Sequence, residues 1–297
     1  MRLETDIEYA EYIDGKEKTM TSTQEREDTR AAWDKIAPGY DATNTPTQMW
    51  IANQGLRRAE LRAGMRFLDV AAGSGALSIP AARLGAQVLA TDQSPVMLEY
   101  LKGRARHEGL NIETRVMDGH ALQLDDNSFD MAGSQFGVML FPDMPKGIRE
   151  MARVVKRDGR VLMIVYGDPH KIEFLGFLVG AVQTVRPNFN GPPMDPVPLP
   201  FQAADPERLR KEFTAAGLKD IKIDTLVEAT EHKTGKDLWD WLVWSNPIVE
   251  TVLGSLNLTN DERGLIQQAL EKMVRERAGG SGSAKLTNPV HIGVGKK

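Results

Sequence analysis

The stretch FLDVAAGSGALSIPAARLGAQVLATDQSPVM, residues 67–97, constrains the fold of this chain more than any other. It reads as a short apolar strand over 67–71, a glycine turn, a helix over 76–84 stopped by Gly85, and a second strand over 88–91. A turn that leaves a strand and enters a helix gathers backbone N–H groups and the positive end of the helix at one point. Gly73 and Gly75 let a ligand approach that backbone. Asp92 follows the second strand, where a carboxylate can accept hydrogen bonds from both hydroxyls of a ribose.

The alternation of strand and helix continues. A third strand is expected over 112–117 and a fourth over 129–136. In the next helix Ile148, Met151, Ala152 and Val155 share a face, and Gly159 is expected to end it. RVLMIVY, residues 160–166, is apolar throughout, as a central parallel strand should be. A helix from Pro206 to Gly217, a sixth strand over 221–227 and a last strand over 288–294 complete the pattern, which is that of an α/β fold with an open, doubly wound sheet.

Three segments depart from it and are expected to form a helical lid: 28–52, 171–200 and 235–280. The first puts Trp33, Ile36, Ala37 and Tyr40 at helical spacing before Pro38-Gly39 interrupts the helix. The second is an apolar helix followed by a proline-rich loop. The third contains LWDWLVW and a capping box from Thr259 to Glu262. Residues 1–27 are charged and poor in large apolar groups, so a flexible tail is expected there. Met20 could itself be a start.

Composition narrows the function. A net charge of −4 gives no electrostatic footprint for nucleic acid. Without cysteine, disulfides, thiolate metal sites and cysteine nucleophiles are excluded. No His-Glu-x-x-His or similar ligand spacing occurs, so no metal is expected. No apolar run is long enough to span a bilayer, and the default expectation is a cytoplasmic enzyme or binding protein. At the glycine turn, Leu77-Ser78 stands where dinucleotide folds carry a third glycine, which weakens NAD or FAD. The missing Gly-Lys-Ser/Thr excludes a Walker loop. A cofactor with adenosine but no phosphate fits better, and S-adenosylmethionine is the obvious one.

The chain resembles the class I S-adenosylmethionine-dependent methyltransferases, in particular the small-molecule branch that includes the ubiquinone and menaquinone methyltransferases. LDVAAGSG is similar to the family's first motif, ATDQSPVML to its ribose acid and following helix, and VMDGHAL to its adenine-edge segment. SFDMAGSQFGVMLFPD resembles the fourth strand and the loop near the methyl donor, and WDKIAPGYD also has a counterpart in this branch. The resemblance implies a seven-stranded sheet with its last strand antiparallel and inserted between the fifth and sixth. It implies that Asp69, Ala71, Gly73 and Gly75 surround the methionine moiety. Asp92 would hold the ribose, and Gln93 and Met97 would flank the adenine. Asp118 would accept from the adenine amino group beside the Gly119 backbone, and Gln135 would lie near the amino acid end or the methyl. The product would be S-adenosylhomocysteine.

Methyl transfer from a sulfonium is an in-line displacement, so alignment in a dry site matters most. The acceptor is expected to be a small, largely apolar molecule lined by Trp33, Tyr40, Phe174, Phe177 and part of the Trp239–Trp244 cluster. Should a base be needed, His170, beyond the fifth strand, is the first choice, with Tyr166 and Asp168 beside it. Oxygen, nitrogen and carbon all stay open as the methylated atom. Two other readings stay open as well: a nucleotide-binding oxidoreductase on the same fold, and a protein that binds the donor without transferring it. Assembly with further copies of the chain is also open.

Overall fold

The computed structural model describes residues 22–245, 247–280 and 282–297. The strands are β1 (Arg66–Val70), β2 (Gln87–Asp92), β3 (Ile112–Val116), β4 (Phe129–Gln135), β5 (Val155–Tyr166), β6 (Lys219–His232) and β7 (Ala284–Lys296). They form one sheet in the order β3-β2-β1-β4-β5-β7-β6. The first five strands pair in parallel, and β7 runs antiparallel to both β5 and β6. The chain reverses its winding after β3, so β1 and β4 lie side by side and open a crevice above their carboxyl ends. Phe67, Leu68, Met131, Val161 and Ile164 are buried at the centre, as near-continuous apolar strands covered on both faces must be.

The helices are α1 (Ser22–Arg58), α2 (Ser78–Arg83), α3 (Pro95–His107), α4 (Met144–Val154), α5 (Glu173–Val182), α6 (Pro206–Ala215), α7 (Gly235–Ser245), α8 (Pro247–Ser255) and α9 (Asn260–Ala278). Ser94 caps α3, its hydroxyl accepting from the Met97 N–H at 3.0 Å, with Pro95 at the first helical position. Thr259 and Glu262 form the expected capping box on α9. A second apolar cluster, separate from the sheet's own, holds α5, α7 and α9 together around Phe174, Trp239, Trp241, Ile266 and Leu270. This is the lid. Among the described residues no helix is long and apolar enough to cross a membrane.

Three sequence expectations need correction. Residues 22–27, expected within the tail, form the first turns of α1, while residues 1–21 lie outside the described residues. Pro38-Gly39 does not interrupt the helix, which runs through both Pro38 and Pro46. A proline inside a helix costs about 3 kcal/mol, and here packing outweighs it. Ile36 and Ala37 dock against Met97 of α3, and Ile51, Ala52 and Leu56 are fully buried against the sheet. Gly159 does not end α4. That helix stops at Val154, and Val155–Gly159 already belong to β5, whose pairing with β4 shifts register between Phe129 and Met131.

Candidate active site

Two cavities open above the carboxyl ends of the strands. The first, of 470 Å³, lies over β1, β2 and β4. Its walls include Asp69, Ala71, Gly73, Asp92 and Gln93, then Met97, Asp118, Gly119 and Gln135. These are the residues expected to hold the cofactor, with one exception. Gly75 is not a wall. A Cβ there would lie 2.9 Å from Leu101, so the glycine serves the turn, at φ +101°, and the close packing of α3.

Asp92 organises the turn. Its carboxylate accepts the Gly73 N–H and the Ser94 N–H, each at 2.8 Å. Burial is the largest influence on it and raises its pKa, which those N–H groups only partly counter. A carboxylate offers about four lone-pair positions, so after two backbone bonds it can still accept from a vicinal diol. Asp69 lies fully buried at the end of β1. Ser78 Oγ donates to its Oδ2 at 2.6 Å, whereas Oδ1 has no partner. Burial pushes this carboxyl up to about 7. An unpaired oxygen in a cavity wall fits a ligand group that donates, such as an ammonium.

Across the cavity, Asp118 accepts the His120 N–H at 2.8 Å and contacts the ring Nδ1 at 2.9 Å. Burial opposes ionisation of Asp118, but the His120 and Arg26 contacts prevail and its pKa is lowered. Gly119 leaves space for Phe141, whose ring would lie 2.6 Å from a Cβ at that position. His120 stacks on Phe141 with centroids 4.3 Å apart. The result is a flat slot closed by aromatic rings and edged by an ionised carboxylate, suited to a planar base with an amino group.

The second cavity, of 700 Å³, is lined mainly by apolar side chains. Tyr166, His170, Phe174 and Phe177 belong to its wall. Trp33, Tyr40, Phe136 and Leu140 face both cavities, so the two adjoin. Tyr166 stacks on Phe136 at 4.5 Å, and Phe174 meets Tyr166 at 6.0 Å and Trp241 at 5.0 Å. Phe174 is therefore both wall and core. Burial, then the nearby Glu228 carboxylate, raise the Tyr166 phenol well above its ordinary value. His170 is exposed at the rim, and Asp168 accepts its backbone N–H at 3.0 Å.

The tryptophan cluster does not enter this cavity. Trp239 and Trp241 are buried in the lid core, and Trp244 lies on Gly39, where a Cβ would come within 2.3 Å of its ring. Several contributors carried no sequence signal. Glu25, Arg26 and Thr29 of α1 border the first cavity, and Gln48 joins the second. Gln48 accepts from the Tyr40 hydroxyl at 3.1 Å, and its carbonyl accepts from Gln135 Nε2 at 3.0 Å. The second of these contacts joins α1 to β4, 87 residues apart, beyond the reach of any local pattern.

Residues 68–163 match the family described as "Methyltransferase domain". The match places a methyltransferase domain over those residues. The matched region runs from β1 into β5 and contains most walls of the first cavity. An uncharacterised protein of Mycobacterium tuberculosis is 36% identical over 42% of this chain and 44% of its own length. A demethylmenaquinone methyltransferase of Clavibacter sepedonicus is 37% identical over 47% of this chain and 58% of its own. The chain thus spans about half the length of the curated relatives it matches. In three dimensions it resembles the YcgJ protein of Bacillus subtilis, with a TM-score of 0.52 and 20% identity over 83% of this chain and 97% of the other. That likeness concerns the fold.

Proposed function

We propose that this chain transfers a methyl group from S-adenosylmethionine to a small, largely apolar acceptor. One observation carries the reading: a cavity bordered by the carboxyl groups of Asp69, Asp92 and Asp118 adjoins a larger, more apolar one, and four side chains are common to both. When bound, the sulfonium supplies an electrophilic methyl. Asp92 holds the ribose hydroxyls, Asp118 and the Gly119 backbone hold the adenine edge, and Gln93 and Met97 flank it. Asp69, Ala71, Gly73 and Gln135 surround the amino acid end. Trp33, Tyr40, Phe136 and Leu140 stand at the boundary, where they exclude water and set the line of approach. The name of the Clavibacter relative, demethylmenaquinone methyltransferase, supports an apolar acceptor.

Tyr166 and His170 are titratable groups in the wall of the second cavity. Tyr166 lies inside the wall, where its raised phenol remains protonated and can donate a hydrogen bond but not remove a proton. His170 stands at the exposed rim. Calorimetry with S-adenosylhomocysteine and NADH tests the cofactor. Binding of the first and not the second is expected, and the reverse would return the fold to the oxidoreductase reading. A metabolite extract incubated with labelled methyl donor should yield a labelled product of low polarity. Binding without any transferred label would leave a donor-binding protein.

A further inference from the structure

Gln48 stands where the two cavities meet. α1 carries it there by running on through Pro46. The Gln48 main-chain carbonyl accepts from Gln135 Nε2, and Gln135 is a wall of the first cavity. The Gln48 side chain touches Tyr40, a wall of both. Gln48 itself belongs to the wall of the second cavity and is only 5% exposed. In-line attack on the methyl must be arranged at this junction, because the donor lies on one side of it and the acceptor on the other.

Tyr40 fixes the orientation of this amide. Its hydroxyl donates to Gln48 Oε1 at 3.1 Å. Burial, the largest influence on the phenol, raises its pKa and keeps the proton in place, so the hydroxyl needs an acceptor. Turned over, the amide would present Nε2 instead, and the Tyr40 proton would have no acceptor among the described residues. Gln48 Nε2 therefore faces away from Tyr40. It has no partner among the described residues and is not sealed off, so its N–H groups reach open space, which here is the second cavity. An amide nitrogen offers two donors and accepts nothing. Tyr166, which burial also keeps protonated, offers a further donor in that wall. The other polar groups of the wall are occupied or exposed. Glu173 is held by Arg277 and Thr287, and Ser245 donates to the Leu242 carbonyl. His170, Lys171 and Asn190 are exposed.

We propose that Gln48 is the specificity-determining contact of the acceptor site: its side-chain N–H donates to an oxygen of the acceptor close to the atom that takes the methyl. The molecules it selects are apolar ones that carry a carbonyl or phenolic oxygen. This rests on the methyl-transfer reading and deepens it. An alkylammonium brings protons to a junction that already presents them, and loses its hydration on entry. A wholly apolar analogue cuts Gln48 Nε2 off from water without giving it a partner, which costs more than the contact itself contributes. The hydrogen bond also sets position, since Tyr40 and Gln135 hold Gln48 from two sides.

Three probes of nearly one shape test this. They are methyl β-naphthyl ketone, β-isopropenylnaphthalene, in which a methylene replaces the carbonyl oxygen, and the amine that reductive amination of the ketone gives, an ammonium at neutral pH. Their affinities are measured by calorimetry with the full chain saturated with S-adenosylhomocysteine. Water solvates a carbonyl better than a methylene, so a cavity without a donor would prefer the isopropenyl probe. The ketone is expected instead to bind at least about fivefold tighter than either of the others. Tyr40→Phe should keep that preference. Tyr40→Phe/Gln48→Met, in which no orphaned phenol can take over, should reduce it at least about fivefold. An equal preference in the parent and the double variant overturns the proposal. So does a preference already lost in Tyr40→Phe, which would assign recognition to the hydroxyl. Absence of ketone binding to the loaded parent, or tighter binding of either other probe, overturns it as well. Should the double variant fail to fold, NMR follows the Gln48 side-chain amide protons in the isotope-labelled parent. The ketone is expected to move them downfield and the isopropenyl probe is not, and an equal response to both counts against the proposal. Failure of S-adenosylhomocysteine to bind the parent would instead strike the cofactor reading, and the probes repeated without it keep the two failures apart.

Discussion

The two cavities are built in different ways. The first is made by backbone: strand ends, a glycine turn, and the N–H groups of Gly73 and Ser94 fixed on one carboxylate. The second is made mainly by side chains on helices, with Tyr166 of β5 in its wall, and Trp239, Trp241 and Phe174 hold those helices together and onto Ala284 and Leu286 of β7. A backbone site tolerates change around it and depends on a few atoms. A side-chain site depends on the fit of many surfaces, none decisive alone. Variants in the two regions should therefore separate stability from affinity and affinity from selectivity.

The largest effect is expected where the lid meets α1. Gly39→Val would drive a branched side chain into Trp244, because even a Cβ comes within 2.3 Å of the ring. Overpacking of this kind costs about 2 kcal/mol or more, and thermal denaturation should show a lower Tm by several degrees. If the backbone site is as independent as its construction suggests, the folded variant still binds S-adenosylhomocysteine. A parallel loss of cofactor affinity in the folded variant would show the two regions to be one unit.

Next in size is Asp92→Ala. It removes the acceptor proposed for the ribose and frees the Gly73 and Ser94 N–H groups. S-adenosylhomocysteine affinity should fall at least tenfold, about 1.4 kcal/mol, by calorimetry. Selectivity among acceptors should not change. Unaltered affinity would remove Asp92 from the site.

That contrast also explains what could be read from the sequence. Gly73, Asp92 and the strand before each are local, because their chemistry sits within one strand–turn–helix unit whose spacing is visible in the string. The order of the sheet, with β7 between β5 and β6, followed from the family resemblance. The second cavity resisted. Its tryptophans looked like a lining and are core, since an aromatic ring gains as much by packing on Phe174 as by facing a ligand. Pro38 looked like a break and is not, because the burial that overrides it comes from α3 and the sheet. Glu228 fell beyond the expected sixth strand, 221–227, which in the structure runs on to His232 and pairs Glu228 with Asn288 of β7.

A smaller effect tests the acceptor wall. Phe174 suits this poorly, being packed between Tyr166 and Trp241, so its removal would disturb the lid. Phe177 lies in the same wall and is only partly buried. Phe177→Ala should raise the KM for an apolar acceptor about three- to fivefold with kcat little changed, the signature of lost ground-state contact. The Tm should fall by less than in Gly39→Val. Equal loss of stability without any change in KM would place Phe177 in the lid core.

The smallest effect is expected at His170. A base that works beside a sulfonium needs a dry position in reach of the acceptor, because water otherwise takes the proton and competes for the methyl. The structure puts the His170 ring at the exposed rim, beyond a cap formed by Asp168 on the His170 N–H. Tyr166, inside the wall, has a phenol too reluctant to ionise to replace it. Transfer should then depend on alignment, and His170→Ala should keep turnover within about twofold of the parent, with donor affinity unchanged. The pH profile of kcat should keep its shape, since no ionisation of this imidazole controls the step. A loss of tenfold or more, together with disappearance of a rate-limiting ionisation near neutral pH, would show that the rim closes over the acceptor during turnover. His170 would then belong to the side-chain site as its one moving catalytic part.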